Sequence, residues 1–397
     1  MPDLVKISLT FFVILFLLRK KLNIGYVMLA ASAVLALLYM MDARSIFGTL
    51  RKTALNEVTL KLLLALSLIR MFELVLREKD VLSTMMSSVK GLFRSRKAVI
   101  ISMPMLIGML PSLGGAYFSA PMVKEATSGL RMDQEEKAFI NYWFRHPWEF
   151  MLPLYPGILL ASAVSGIPLY NIIAANMPYA LVLLATGFLF SMKGVGKKAD
   201  QSSSGRGAEK KAGRIKREGL SFLPVFAVLF LVVILRMELH YAILLILAVL
   251  FLLYRYRPGE VLRATRHGFA LEVIVMIAGI MLFKETMEAS GAVRNLSLFF
   301  VKQGIPVLPI LCLLPFLTGL LTGLTVGFVG STFPLLISIS GGASLSVISL
   351  AFASGFISKT FGIKAKKAFS SREIPFRKTR KLHIFYHTGN FAVKIII

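Results

Sequence analysis

The chain has 397 residues, of which 56% are hydrophobic and 17% are charged, and its mean hydropathy is +0.73. Soluble domains carry roughly 25% charged residues, so this composition indicates a polytopic membrane protein. The formal net charge of +26 is concentrated in short loops, a distribution typical of the positive-inside rule rather than of a nucleic-acid-binding surface. The single Cys312 excludes an intramolecular disulfide and any multi-cysteine metal site.

Apolar runs approaching the roughly 20 residues of a membrane-spanning helix occur along the whole chain. Two further apolar stretches, Ala98–Ala120 and Ile305–Ser340, are interrupted by proline and glycine. We therefore predict nine spans, namely Leu4–Leu18, Ile24–Met41, Glu57–Leu76, Phe150–Ser165, Pro168–Phe190, Leu220–Leu235, Leu239–Tyr254, Phe269–Met287 and Ala343–Ile357.

The basic loops predict the orientation of these spans. With the N-terminus outside and Ala98–Ala120 re-entrant, the loops 19–23, 77–97, 191–219 and 255–268 are all cytoplasmic, and they carry 3, 6, 9 and 4 Lys/Arg. The loop 42–56, with three basic residues, is external and is the exception. We expect a multi-pass protein of the inner, cytoplasmic membrane, with its C-terminal tail on the cytoplasmic side.

An internal repeat relates the two interrupted stretches. A shift of 211 residues aligns "PMLIGMLPSLGG" at Pro104 with "PFLTGLLTGLTV" at Pro315, and it also aligns Phe72 with Phe283. The alternative is a chance alignment of leucine-rich segments. The repeat predicts an all-α polytopic membrane protein with two inverted-topology repeats, each with a re-entrant hairpin and a broken helix.

The hairpin tips are candidate substrate-binding segments. Free N–H groups of half-helices suit a carboxylate or another anion, and glycine lets a ligand approach the backbone. In the second stretch, the alternative is a continuous G-x-x-x-G helix-packing face. The candidates are Pro111, Ser112, Gly114 and Gly115 in the first hairpin, Thr322, Thr325, Gly327 and Ser331 in the second, and Ser354 after it.

A helix break is predicted after the first hairpin. Asp133-x-x-Glu136 is an N-capping pattern, and the helix that follows must stop before Pro147. Arg145, His146 and Glu149 then lie at the break, where the arginine suits a carboxylate and either of the others could carry a proton. The alternative is an interfacial cluster at the headgroups. Glu73, inside a predicted span, is a second candidate for proton or ion coupling.

Motifs of enzyme chemistry are missing from the sequence. The chain has no G-x-x-x-x-G-K-[ST], no H-E-x-x-H and no G-x-S-x-G, and its five histidines are scattered. We expect no enzymatic activity, no metal site and no cofactor beyond a coupled proton or sodium ion.

The motifs "PMLIGMLPSLGGAYFSAPMV", "INYWFRHPWEF" and "PLYPGILLAS" resemble a family of integral membrane proteins, domain of unknown function 401, over roughly residues 1–356. That family is grouped with the ion-transporter superfamily of gluconate, citrate, dicarboxylate, arsenite and sodium–proton carriers. The resemblance implies two halves of inverted topology and ion- or proton-coupled movement of a small anion. Carriers of this kind are often homodimers. It places Ser112, Gly114, Gly115, Arg145 and His146 in the site.

The predicted organisation is a first repeat (1–190), a basic cytoplasmic linker (191–219), a second repeat (220–357) and a basic tail (358–397). The tail has ten Lys/Arg and one acid, and it departs from the family pattern. We expect a shifted reading frame near residue 357 or a decayed gene copy; the alternative is a genuine basic tail.

The sequence therefore favours a secondary-active permease for a small carboxylate or inorganic anion, coupled to protons or sodium by alternating access. The alternatives are a membrane enzyme acting at lipid headgroups and a membrane scaffold without transport activity. The expected partners are the substrate anion and the lipid bilayer, with no nucleic acid.

Overall fold

The computed structural model describes residues 3–81, 84–85, 95–109, 115–130, 132–191, 220–304 and 306–370. These residues form helices joined by short connections, and no strand occurs among them. The all-α prediction is confirmed for this part of the chain.

The helices follow one another closely. A 3₁₀ turn at Leu220–Phe222 precedes α11, and a π-helical turn at Phe230–Ile234 follows it. In chain order the α-helices are α1 Asp3–Arg19, α2 Ile24–Leu38, α3 Ala43–Leu55, α4 Glu57–Glu78, α5 Arg96–Gly108, α6 Gly115–Ala126, α7 Gln134–Trp143, α8 Trp148–Met151, α9 Pro156–Ser165, α10 Leu169–Ser191, α11 Leu223–Leu229, α12 Leu239–Leu253, α13 Pro258–Gly268, α14 Leu271–Ala289, α15 Ala292–Gln303, α16 Val307–Thr322, α17 Thr325–Ile339 and α18 Leu345–Ser370.

Two helical stretches of the described chain, Leu169–Ser191 and Pro258–Ala289, are long and apolar enough to cross a bilayer. Other apolar helices are shorter; α2 and α12, for example, have 15 residues each. At 1.5 Å per residue such a helix reaches about 22 Å, less than the ~30 Å hydrocarbon core. Among the described helices, these two stretches are thus capable of crossing a membrane. The nine spans and their orientation stay predictions.

The chain divides into two compact units that cut across the predicted repeats. The first unit comprises Met1–Thr59 and Val275–Ile397, and the second comprises Leu60–Ile274. The first unit therefore combines α1–α3 with most of α14 and with α15–α18, and the second contains α5–α13 with most of α4. The repeat boundaries 1–190 and 220–357 are not the boundaries of these units and stay predictions from sequence.

Small residues allow close helix packing in the first unit. A Cβ on Gly319 of α16 would lie 2.3 Å from the carbonyl oxygen of Gly355 on α18, and a Cβ on Gly355 would lie 2.5 Å from the Phe328 ring. A Cβ on Gly25 of α2 would lie 2.5 Å from the carbonyl oxygen of Val275 on α14. These backbones touch because glycine has no side chain, and large buried phenylalanines fill the space beside them.

A buried apolar cluster joins α5, α6 and α7 in the second unit. It contains Ile100, Val123, Ile140 and Phe144, with Ile101 and Met132 beside them. The close approach of α10 completes this packing, because a Cβ on Gly187 would lie 2.6 Å from the Trp143 ring. The helix that precedes the break is therefore held on two sides.

Helix boundaries repeat along the chain at nearly the spacing of the sequence repeat. α5 and α16 begin at Arg96 and Val307, and α7 and α18 begin at Gln134 and Leu345, which are 211 positions apart in both cases. α6 and α17 begin 210 positions apart. Secondary structure thus follows the 211-residue shift well beyond the residues that are identical in sequence.

Two short helices also carry an ion-pairing cation at the same repeat position. Lys52 on α3 pairs with the buried Glu285 of α14 at 2.7 Å, within the first unit. Arg263 on α13 pairs with Glu78 at the end of α4 at 3.1 Å, within the second unit. Lys52 and Arg263 are 211 positions apart, so each short helix before a hairpin region is fixed by a cation at the same repeat position.

Candidate functional site

The first predicted hairpin is formed by α5 and α6, which pack against each other. The candidates Pro111, Ser112 and Gly114 lie outside the described residues, and Gly115 is the first residue of α6. A helix therefore begins where the predicted tip ends. The assignment of these residues to substrate binding stays a prediction.

The break predicted after this hairpin is present. Asp133 accepts from the backbone N–H of Glu136 at 2.6 Å, and the Glu136 carboxylate accepts from the N–H of Asp133 at 3.1 Å, a capping box that starts α7. α7 ends at Trp143, and α8 begins after Pro147. Proline cannot donate to a helical carbonyl and disfavours helical backbone before it, so the interruption falls at this point.

Three contacts fix the break to α5. A Cβ on Gly108 would lie 2.2 Å from the carbonyl oxygen of Arg145, so only glycine allows this approach. The indole N–H of Trp148 donates to the carbonyl of Met105 at 2.7 Å, and the Tyr155 hydroxyl donates to the carbonyl of Gly108. The last turn of a hairpin helix and the interrupted backbone thus form one packed assembly.

Ionisable groups gather at the same place. His146 and Glu149 are each 8% exposed, and the Nε2 atom of His146 lies 3.5 Å from Oε1 of Glu149. The Arg145 guanidinium acts electrostatically on the carboxylate of Glu73 and on the hydroxyl of Tyr155. Arg145, His146, Glu149 and Glu73, which the sequence predicts as a binding and coupling set, all belong to the second unit.

The second predicted hairpin is formed by α16 and α17. Gly323 ends α16 in the left-handed conformation at φ +66°, and α17 starts at Thr325. The Thr322 hydroxyl donates to Thr318 and accepts from the N–H of Leu324, which closes the turn. A continuous G-x-x-x-G helix through Gly323, the alternative reading of this stretch, is therefore wrong.

The predicted polar residues of the second half do not all lie at this turn. Thr322 and Thr325 flank it, and a Cβ on Gly327 would lie 2.7 Å from the Thr322 hydroxyl. The Ser331 hydroxyl donates to the carbonyl of Gly327 at 2.7 Å, further along α17, and the Ser354 hydroxyl donates to the carbonyl of Cys312 at 2.6 Å. The Ser331 hydrogen bond lies within α17, whereas that of Ser354 joins α18 to α16. The predicted role of both serines in substrate binding stays a prediction.

Sequence reasoning missed a buried lysine beside the turn. Lys359, 5% exposed on α18, donates from Nζ to the Thr325 hydroxyl at 3.2 Å, and Nζ lies 5.1 Å from the Phe356 ring centroid. α18 runs without interruption from Leu345 to Ser370, across the boundary predicted at 357. The helix break after α7 thus has no counterpart in α18.

Gly108 and Tyr155 were also missed as parts of the site. Tyr155 lies in the quoted motif "PLYPGILLAS", and a tyrosine between two prolines after a helix break was a signal that could have identified it. Among the described residues, no three His, Cys, Asp or Glu side chains are grouped as metal ligands.

These observations define a class of protein, namely an apolar all-helical protein in which an interrupted helix is held against a helical hairpin. The chain belongs to the family described as "Protein of unknown function (DUF401)", whose profile matches residues 4–367. No curated protein matches the chain.

Proposed function

We propose that this protein is a secondary-active carrier of a small anion, a carboxylate or an inorganic anion, coupled to protons or sodium. It would lie in the inner membrane with its N-terminus outside and work by alternating access of two inverted repeats. The relation to the carriers of the ion-transporter superfamily is part of this proposal and comes from the sequence motifs.

The observation that carries the proposal is the clamped break between α7 and α8. Interrupted backbone next to a hairpin helix, with Arg145, His146 and Glu149 at the interruption, has the features of a midplane site in a secondary carrier. Ionisable side chains in an apolar helical protein mark substrate or ion pathways. The guanidinium of Arg145 offers a planar pair of donors to a carboxylate.

The helix register supports the inverted-repeat part of the proposal. The starts of α5, α6 and α7 recur in α16, α17 and α18 after 210 or 211 residues, although few residues are identical. The α16–α17 turn would supply the second tip, where Thr325 begins a helix whose free N–H groups suit an anion.

The test is uptake into proteoliposomes. The full chain is reconstituted into liposomes that are loaded with one anion at a time from a panel of small carboxylates and oxyanions. Exchange of the internal anion with the same labelled anion outside is then measured. Arg145→Lys keeps the charge but loses the planar pair of donors, so we expect at least a tenfold loss of exchange. Arg44→Lys, on the exposed face of α3, is the matched control and retains exchange. Equal exchange by both variants would remove Arg145 from the site.

A further inference from the structure

The side chains of His146 and Glu149 are arranged around one proton. The Nδ1 atom of His146 lies against the carbonyl oxygen of Tyr142, one helical turn earlier. A carbonyl oxygen can only accept a hydrogen bond, so Nδ1 must carry a hydrogen. This contact fixes the tautomer of a neutral His146 as the Nδ1–H form and leaves Nε2 as the nitrogen that exchanges a proton.

Nε2 faces the Glu149 carboxyl group. In the fully deprotonated pair, the Nε2 lone pair and a carboxylate oxygen would lie 3.5 Å apart, and both are acceptors. Each residue is 8% exposed, so bulk water screens this repulsion weakly. One proton on either atom removes it, giving an imidazolium–carboxylate pair or a neutral imidazole beside a carboxylic acid.

We infer that His146 and Glu149 bind a single proton as one unit and that this proton is the coupling ion of the carrier. The inference rests on the proposed function for the coupling role; the shared proton follows from the geometry alone. The two groups would titrate together, so the proton belongs to the pair rather than to either residue.

Charged and titratable side chains lie next to this pair. The Tyr142 ring of α7 packs on His146 with ring centroids 3.9 Å apart, and Tyr155, between α8 and α9, interacts electrostatically with Glu149 and Arg145. Arg145 also acts on Glu73 of α4, so that carboxylate belongs to the same electrostatic neighbourhood. A substrate anion that engaged Arg145 would change the field at the pair, which is how anion and proton binding could be linked.

The first experiment reads the tautomer directly. The full chain is labelled with ¹⁵N-histidine in nanodiscs, and the His146→Gln spectrum identifies the His146 signals among the five histidines. We expect Nδ1 of His146 to stay protonated over the whole pH range while Nε2 loses its proton. In Glu149→Gln that loss moves to lower pH, since the carboxylate charge is gone. Glu135→Gln, on the exposed face of α7, is the matched control and leaves the titration in place.

An Nε2–H tautomer, or a titration that Glu149→Gln does not move, would overturn the shared proton. A second experiment separates this inference from the carrier proposal. Uptake driven by a pH gradient and lost in His146→Gln and Glu149→Gln, but kept in Glu135→Gln, supports the coupling role. Uptake driven by sodium alone keeps the carrier and overturns the coupling role. A shared proton in a protein that exchanges no anion of the panel overturns the carrier proposal.

Discussion

The replacement Gly108→Ala tests whether the helix break is held by the hairpin. The new methyl group would lie 2.2 Å from the carbonyl oxygen of Arg145 and 2.8 Å from a ring carbon of Trp148, whereas ordinary contacts begin at 3.4 Å. The backbone must therefore separate by about 1 Å, and overpacking of this kind costs about 1–3 kcal/mol. The helix-propensity gain of alanine is at most about 1 kcal/mol and is smaller at the end of a helix, so we expect a net loss of stability.

Tryptophan fluorescence measures this locally, because the chain has two tryptophans and both flank the break. Trp143 donates to the carbonyl of Leu183 at 2.6 Å and Trp148 to that of Met105, so separation should shift the emission to longer wavelength. Guanidinium unfolding in detergent gives the free-energy change. Gly48→Ala is the control, since a Cβ there meets nothing within 4 Å and alanine should stabilise α3 by about 0.5–1 kcal/mol. An equal gain for Gly108→Ala, with unchanged emission, would refute the clamp.

Three other outcomes follow. Tyr155→Phe removes the donor to the Gly108 carbonyl, and we expect a loss of about 0.5–1.5 kcal/mol in the same unfolding assay. Lys52→Met leaves the buried Glu285 without its closest cation, which should lower the free energy of unfolding by about 1–3 kcal/mol, and adding Glu285→Gln should recover part of it. Glu285 raises the pKa of Lys52 above its ordinary 10.5, so this contribution is complete at neutral pH and is lost as pH rises through the raised pKa. Cutting the chain within 191–219 should leave two fragments that copurify after coexpression, and failure to copurify would contradict the division into units.

Local signals explain what the sequence could predict. The capping box of Asp133 and Glu136 and the stop before Pro147 depend on residues within a turn of each other, and both are found where the sequence places them. The grouping of Arg145, His146 and Glu149 follows from the same short stretch. Such features depend little on the rest of the fold.

Contacts between distant segments explain what the sequence could not predict. Gly108 and Tyr155 are 47 residues apart, and Lys359 and Thr325 are 34 residues apart. Apolar patterning assigns such residues to helices but does not say which helices touch. The predicted last span ended at Ile357, where hydropathy falls, whereas α18 continues to Ser370 and buries Ser358 and Lys359. The repeat boundary at 357 stays a prediction.

The repeat and the packing lead to one more conclusion about how the chain is built. The boundaries between the units fall at 59/60 and 274/275, near equivalent positions of the two predicted repeats. Each unit thus combines the early helices of one predicted repeat with the hairpin region of the other. The contacts of Gly25 with Val275 and of Ser67 with Gly268 join residues of the two predicted repeats within one unit. Each unit buries surface from both halves of the sequence, so we expect folding of each unit to require both halves. The linker 191–219 connects the two halves of the sequence, whose helices pack together within each unit. A cut in this linker should therefore be tolerated, whereas deletion of either half should not.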